Sequence, residues 1–206
     1  MKTIYVVGLT GQTGAGKSSV SQILRAQGIP VIDCDAVARH VVDHEKECLA
    51  DLALEFSISI LNIDGTLNRR KLGSMVFGNP KRLEKLDGLI FPYIRREVDR
   101  RIAQIEEEGG DLVVLDAPTL FEAGVDGQCN AVVSVLAPES LRLNRIMVRD
   151  HLSDDEARRR IDSQQEDNFY ASRSQVVICN DGRPEDLETQ TLAMLAHMRC
   201  HREADE

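Results

Sequence analysis

Gly11-Gln12-Thr13-Gly14-Ala15-Gly16-Lys17-Ser18 is the stretch on which the reading of this chain turns. It fits Gly-x-x-x-x-Gly-Lys-Ser/Thr, a loop whose backbone N–H groups can wrap a run of phosphates. Upstream, residues 3–8 read as a buried strand within an apolar, β-prone start. Downstream, Ser18 to about Gln27 reads as a helix. Strand, glycine loop and helix, in that order, is the context the motif needs. The glycines let successive N–H groups turn inward. The helix start adds partial positive charge. Lys17 can reach the β- and γ-phosphates, and the Ser18 hydroxyl can ligate Mg²⁺.

Working outward, Gly28 and Pro30 end the first helix, and Val31-Ile32 is a short second strand closed by Asp33-Cys34-Asp35. Short apolar strands alternating with helices predict a parallel sheet, whose ligands sit beyond the strand C-terminal ends. On an extended segment Asp33 and Asp35 face the same side, so both become candidates for chemistry beside the loop. Residues 35–108 read as a mostly helical insertion. It contains a helix over Asp35–Asp43, another over Glu45–Phe56, a turn at Asp64-Gly65, and a helix capped by Asn68. A long helix follows from Pro80 to about Glu108, which Pro92 is expected to kink or split. Asp111 to Asp116 is a third strand ending in an acid, the Walker-B pattern, where Asp116 can hold Mg²⁺ directly or through water. Ala131–Leu136 and Gln175–Cys179 are the fourth and fifth strands. Between them, Pro138 opens a helix with Arg142, Arg145 and Arg149, and Ser153 starts another with a capping box. Arg145 and Arg149, four apart, share a face and suit a lid that covers ATP phosphates. The last helix runs from Pro184 to about His201, leaving His201–Glu206 as a frayed tail.

Bulk properties exclude several classes. A net charge of −9 argues against a general nucleic-acid surface. No segment approaches a membrane span, and the apolar start is too short for a signal segment. The five scattered cysteines read as reduced thiols of a cytoplasmic protein. There is no Asn-Lys-x-Asp guanine motif and no nucleophile elbow. His40, His44 and Cys48 fall at helical spacing but lack a fourth ligand for structural zinc.

Taken together the residues resemble the dephospho-coenzyme A kinases, from about Ile4 to Leu195. The resemblance is carried by Gly8-Leu9-Thr10-Gly11 and the phosphate loop, Asp33-Cys34-Asp35 with Ala38-Arg39, and Asp64-Gly65-Thr66-Leu67 with Arg69-Arg70. It continues in Pro118-Thr119-Leu120-Phe121-Glu122, Arg145 to Asp150, Gln164, and Val177 to Gly182. It implies an α/β fold: a three-layer P-loop kinase core with a parallel five-stranded sheet, a helical substrate-binding insertion and a helical lid. The implied parts are 1–34, 111–140 and 174–203 as nucleotide-binding core, 35–110 as coenzyme A domain and 141–173 as lid.

The implied reaction is ATP-dependent phosphorylation of the ribose 3′-hydroxyl of dephospho-coenzyme A, the last step of coenzyme A synthesis. Asp35 is the base by family match, with Lys17 and Arg145 as the other catalytic residues. ATP contacts fall to Gly11, Gln12, Thr13, Gly14, Ala15, Gly16, Lys17, Ser18, Ser19, Arg145, Arg149 and Asn180. Substrate contacts fall to Thr10, Asp35, Arg39, Arg70, Pro118, Leu120 and Glu122. Mg²⁺ falls to Ser18, with Asp33 or Asp116 through water. The expected partners are ATP and dephospho-coenzyme A, in a monomer or weak homo-oligomer. Gln12-Thr13 stands where the family usually has Gly-Ile, Phe91-Pro92 where it has His-Pro, and Ser174-Gln175 where it has Ala-Asp. The rival readings are a kinase of nucleoside monophosphates or sugar acids and a nucleotide-binding paralogue without transfer activity.

Overall fold

The structure, a computed structural model, describes residues 4–205. Thr3, expected at the start of the first strand, and Glu206 of the expected tail lie outside the described residues. Five strands form one sheet: β1 (Tyr5–Gly11), β2 (Val31–Asp33), β3 (Leu112–Asp116), β4 (Ala131–Leu136) and β5 (Val176–Cys179), in the order β2-β3-β1-β4-β5. β1 is central. It pairs in parallel with β3, from Tyr5↔Leu112 to Leu9↔Asp116, and with β4, from Val7↔Ala131 to Gly11↔Val135. All residues of β1, β3 and β4 are buried, which is why they read as unbroken apolar runs. The register sets the ends of β1 and β3 side by side, so Gly11 and Asp116 emerge at the same edge.

The helices are α1 (Lys17–Ala26), α2 (Cys34–His44), α3 (Lys46–Phe56), α4 (Arg69–Val76), α5 (Pro80–Glu107), α6 (Glu139–Asp150), α7 (Asp154–Asp162), α8 (Asp167–Ala171) and α9 (Pro184–Asp205). The chain divides into two compact units. One runs to Ile32 and resumes at Ile105; the other is Asp33–Gln104. In the first unit, Val20 and Leu24 of α1 and Leu187, Met194, Leu195 and Met198 of α9 join Val7, Leu9, Val114 and Val133 in one core. Ile146, Ala157 and Ile161 tie α6 to α7 in a smaller cluster. In the second unit α2 packs on α3, and α3 and α4 both pack on a single 3-10 turn, Ile58–Ile60.

Four sequence expectations change. Asp35 does not lie on an extended segment. β2 ends at Asp33, whose Oδ1 accepts the Ala36 N–H at 2.8 Å and caps α2, so Asp35 falls in a helical first turn. The expected helix over 45–56 starts one residue later because Glu45 is extended, and this break removes the spacing that aligned His44 with Cys48. α5 is not split at Pro92. The carbonyl that the proline ring crowds belongs to Gly88, around which a Cβ would meet nothing within 4 Å, so the backbone there has room to yield. Finally, His201 is not the start of a frayed tail. α9 continues through it to Asp205, held where the Arg202 guanidinium bonds the Asp111 carboxylate ahead of β3. α8 was not expected at all; five residues are too few for helical periodicity to register.

Candidate active site

The phosphate loop is the turn from β1 into α1, and its glycines are required by geometry. Gly14 and Gly16 have φ of 76° and 104°, a region that side chains disfavour. A Cβ on Gly14 would lie 2.8 Å from the Arg142 carbonyl oxygen, and one on Gly16 would collide with the Asn180 amide. Gly16 is the N-cap of α1, and no side chain caps that helix. Ala15 N–H donates to Gln12 O at 3.1 Å and Ser19 N–H to Gly16 O at 2.9 Å. Thr13 N–H donates to Gln164 Oε1 at 2.7 Å. Among the described residues the N–H groups of Gly14, Gly16, Lys17 and Ser18 have no intramolecular acceptor. An uncapped helix start with a cluster of open amides is a site for an anion.

Lys17 forms an ion pair with Asp116 Oδ1, and the Ser21 hydroxyl donates to Asp116 Oδ2 at 2.6 Å. The Walker-B carboxylate and the loop lysine therefore meet, as their places at adjacent strand ends demand. Ser18 is exposed beside them. Thr10 and Leu120 are both fully buried: the Thr10 hydroxyl donates to Pro118 O at 3.1 Å, and the Leu120 methyls fill the space above Gly8. They brace the 117–125 turn and offer a ligand no surface of their own, whereas Glu122 on that turn is exposed.

α6 lays Arg145 across the loop. Its Nη1 donates to Gly14 O at 3.2 Å, and its Nη2 to Asn180 Oδ1 at 3.3 Å. Asn180 in turn donates Nδ2 to Ala15 O at 2.7 Å and its backbone N–H to Leu136 O at 2.8 Å. Its side chain is thus a strut between guanidinium and loop. Beside this strut is a 360 Å³ cavity lined among others by Gly16, Ser19, Arg145, Asn180, Gly182 and Pro184. A cavity of that size next to the phosphate loop suits a nucleobase. Arg149 does not join this cluster. It makes two 2.8 Å hydrogen bonds to Asp150, which also pairs with Arg160. Those contacts, Arg149 foremost, hold the Asp150 carboxyl down at about 2.

The segment after α7 also reaches the loop. Besides Gln164, Gln12 Nε2 donates to Gln165 O at 3.2 Å and to Asp167 Oδ1 at 2.8 Å. Phe169 and Tyr170 of α8 pack their rings on Phe121. These side-chain links, like the Asn180 strut, join residues at least 35 apart in sequence and have no local signal.

The helical unit is described by itself. Asp35, Arg39 and Arg70 are exposed on it, and Phe91 is partly exposed on α5. Arg69 pairs with Asp43 at 2.9 Å. Glu97 is buried between Arg100 and Arg101, each at 2.7 Å, and the Arg100 hydrogen bond above all lowers its carboxyl to about 2. Burial raises the Cys48 thiol to about 11, and the Asp51 carboxylate, hydrogen-bonded at 2.6 Å, raises Tyr93 to about 12. Neither group titrates near neutral pH. Among the described residues no cluster of three or more His, Cys, Asp or Glu could hold a metal, and no helix is long and apolar enough to cross a membrane.

The chain is similar to known proteins over most of its length. The dephospho-CoA kinase family profile matches residues 5–186. A dephospho-CoA kinase from Syntrophotalea carbinolica is 39% identical over 195 residues, covering 95% of this chain and 92% of the relative. A Thermus thermophilus protein, TT1252, superposes with a TM-score of 0.81 at 35% identity, over 95% of this chain and 98% of that one. The dephospho-CoA kinase of Campylobacter jejuni gives a TM-score of 0.70 at 25% identity, over 94% and 96%.

Proposed function

The chain belongs to the dephospho-CoA kinase family, and from that premise we propose that it transfers the γ-phosphoryl group of ATP to the ribose 3′-hydroxyl of dephospho-coenzyme A. The observation that supports it most is the set of open amides at Gly14, Gly16, Lys17 and Ser18, closed on one side by Asp116 and on the other by Arg145. A triphosphate laid on those amides would draw Lys17 from Asp116 to its β/γ-oxygens. Arg145, already facing the loop carbonyls, would turn its charge to the phosphates. Gln12 and Thr13 complete the loop, and Arg149 would join once released from Asp150. The base would enter the cavity beside Asn180, whose strut keeps loop and Arg145 in register. Catalysis in this reaction class is positioning plus charge stabilisation.

The residues present suit a hard divalent cation, since the exposed Ser18 hydroxyl and the Asp116 carboxylate are oxygen donors. Ser18 would hold Mg²⁺, with Asp116 or Asp33 through water. The ion, when bound, offsets charge on the phosphoryl oxygens.

Asp35 is assigned to accept the 3′-hydroxyl proton, which adds about 10²–10⁴-fold in such reactions. Arg39 and Arg70 are assigned to the anionic groups of the acceptor. Pro118 and Glu122 complete its contacts, shaped from behind by Thr10 and Leu120. Residues 35–110 are assigned to the acceptor domain, 141–173 to the lid, and 1–34, 111–140 and 174–203 to the nucleotide core. The protein acts in the cytoplasm as a monomer or weak homo-oligomer and binds no nucleic acid.

Coupled ADP release tests this. The enzyme is given ATP with dephospho-coenzyme A, nucleoside monophosphates or gluconate in turn. Turnover on dephospho-coenzyme A alone is expected. Preference for either rival acceptor would move the activity to another small kinase, and ATP binding without turnover on any acceptor would make the protein a non-catalytic relative.

A further inference from the structure

Three buried side-chain atoms of the described residues have no hydrogen-bond partner: Arg142 Nε, Arg142 Nη1 and Gln12 Oε1. Both residues flank the phosphate loop. Gln12 belongs to it and is 4% exposed; Arg142, on α6, is 5% exposed with its backbone against Gly14. Guanidinium N–H groups withdrawn from water without an acceptor are costly and call for a role. Arg142 lies close enough to Tyr170 to favour its phenolate, although burial and then Glu122 outweigh this and raise the hydroxyl's pKa. Tyr170 belongs to α8, the helix whose Asp167 engages Gln12. Three residues earlier than Asp167, Gln164 places a carbonyl oxygen on the Thr13 N–H. One segment, Gln164 to Tyr170, therefore bonds a backbone donor and an amide side chain of the loop and carries the tyrosine whose hydroxyl feels the Arg142 charge. Arg145, by contrast, meets the loop at the Gly14 and Ala15 carbonyls, on the Asn180 side.

Resting on the kinase reading above, we propose that Arg142 is a further phosphoryl-binding residue, which with the Thr13 N–H receives an oxygen of the terminal phosphoryl group of the nucleotide once Gln164 to Tyr170 moves off the loop. In this role the Gln164 carbonyl holds the place of a phosphoryl oxygen. The unpartnered Nε–H and Nη1–H groups point to different sides of the guanidinium, and each can donate singly to such an oxygen. Gln12, bound to Asp167 and Gln165, couples that segment to the loop.

The test measures binding, so it needs no acceptor. Wild type, R142M and R142K are titrated by calorimetry with Mg²⁺ and ADP, then with ADP plus beryllium fluoride, which completes a mimic of the terminal phosphoryl group. Thermal melts accompany each titration. Beryllium fluoride should tighten ADP binding in the wild type. R142M should keep its ADP affinity within about threefold and lose about tenfold or more of that tightening, with R142K recovering part of it. Undiminished tightening in R142M, a wild type that shows no tightening, or an equal loss for ADP with and without fluoride alongside a lower Tm would each overturn the proposal. If R142M does not fold, R142K is read alone, and a loss that is not selective for the fluoride complex overturns it. Failure to phosphorylate dephospho-coenzyme A would instead fall on the proposed function.

Discussion

Two strand–helix junctions can be compared, β1 into α1 and β2 into α2. Each follows a strand of the same sheet, and each places a candidate catalytic residue in the first turn of its helix: Lys17 in one, Asp35 in the other. Their caps differ. α1 starts on Gly16 with no side-chain cap, which leaves a row of amides open. α2 starts on Asp33, whose carboxylate takes the Ala36 amide at 2.8 Å. An anion can therefore dock on the first helix by its backbone, whereas the second is already closed by an anion of its own. The same local unit has an open helix start in one case and a sealed one in the other. Lys17 is correspondingly half-buried and ion-paired, and Asp35 stands exposed.

Breaking the open junction should have the largest effect. Lys17→Ala is expected to lower kcat by about 10³-fold or more and to weaken ATP binding, measured by ADP release and by titration. Next comes Asp35→Asn, expected to lower kcat by about 10²–10³-fold while leaving ATP affinity within about twofold. Near-normal turnover would remove Asp35 from the base role. The caps can then be set against each other. Asp33→Ala should cost about 1 kcal/mol of stability in thermal or urea melts. Asp33→Asn, which can still cap, should restore that stability and change kcat little. A large kcat loss in a well-folded Asp33→Asn would mean that Asp33 serves the reaction as well as the helix.

The smallest effect is a pH dependence confined to the helical unit. The folded Glu97 carboxyl sits at about 2, below its ordinary 4.5. Its stabilising contribution is complete above the ordinary value and is lost as pH falls toward about 2. Melts of wild type and Glu97→Gln between about pH 5 and about pH 3 should converge as the pH drops.

The open junction was legible because its signals are local. The loop is one motif, β4 is one apolar run, and the Asn68 cap and Ser153 capping box each span four residues. The sealed junction was misread because Asp33 and Asp35 look alike until the cap bond separates them. The sequence singles out Asn180 but not its role as a strut, since both ends of its amide meet groups distant in sequence. The cover over Gln12 and Thr13 was missed for the same reason, together with the shortness of α8. Arg142 was visible only as one of three arginines on a helix, and nothing in their spacing shows which one is buried without a partner.

The proposed reaction turns on its acceptor atom. Paired reactions with ATP and either dephospho-coenzyme A or its 3′-deoxy analogue, followed by ADP release and by ³¹P NMR of the product, test it directly. ADP release with the first alone and a new phosphomonoester on the ribose 3′-oxygen are expected. Equal release with the 3′-deoxy analogue, or phosphate appearing at any other oxygen, would contradict it.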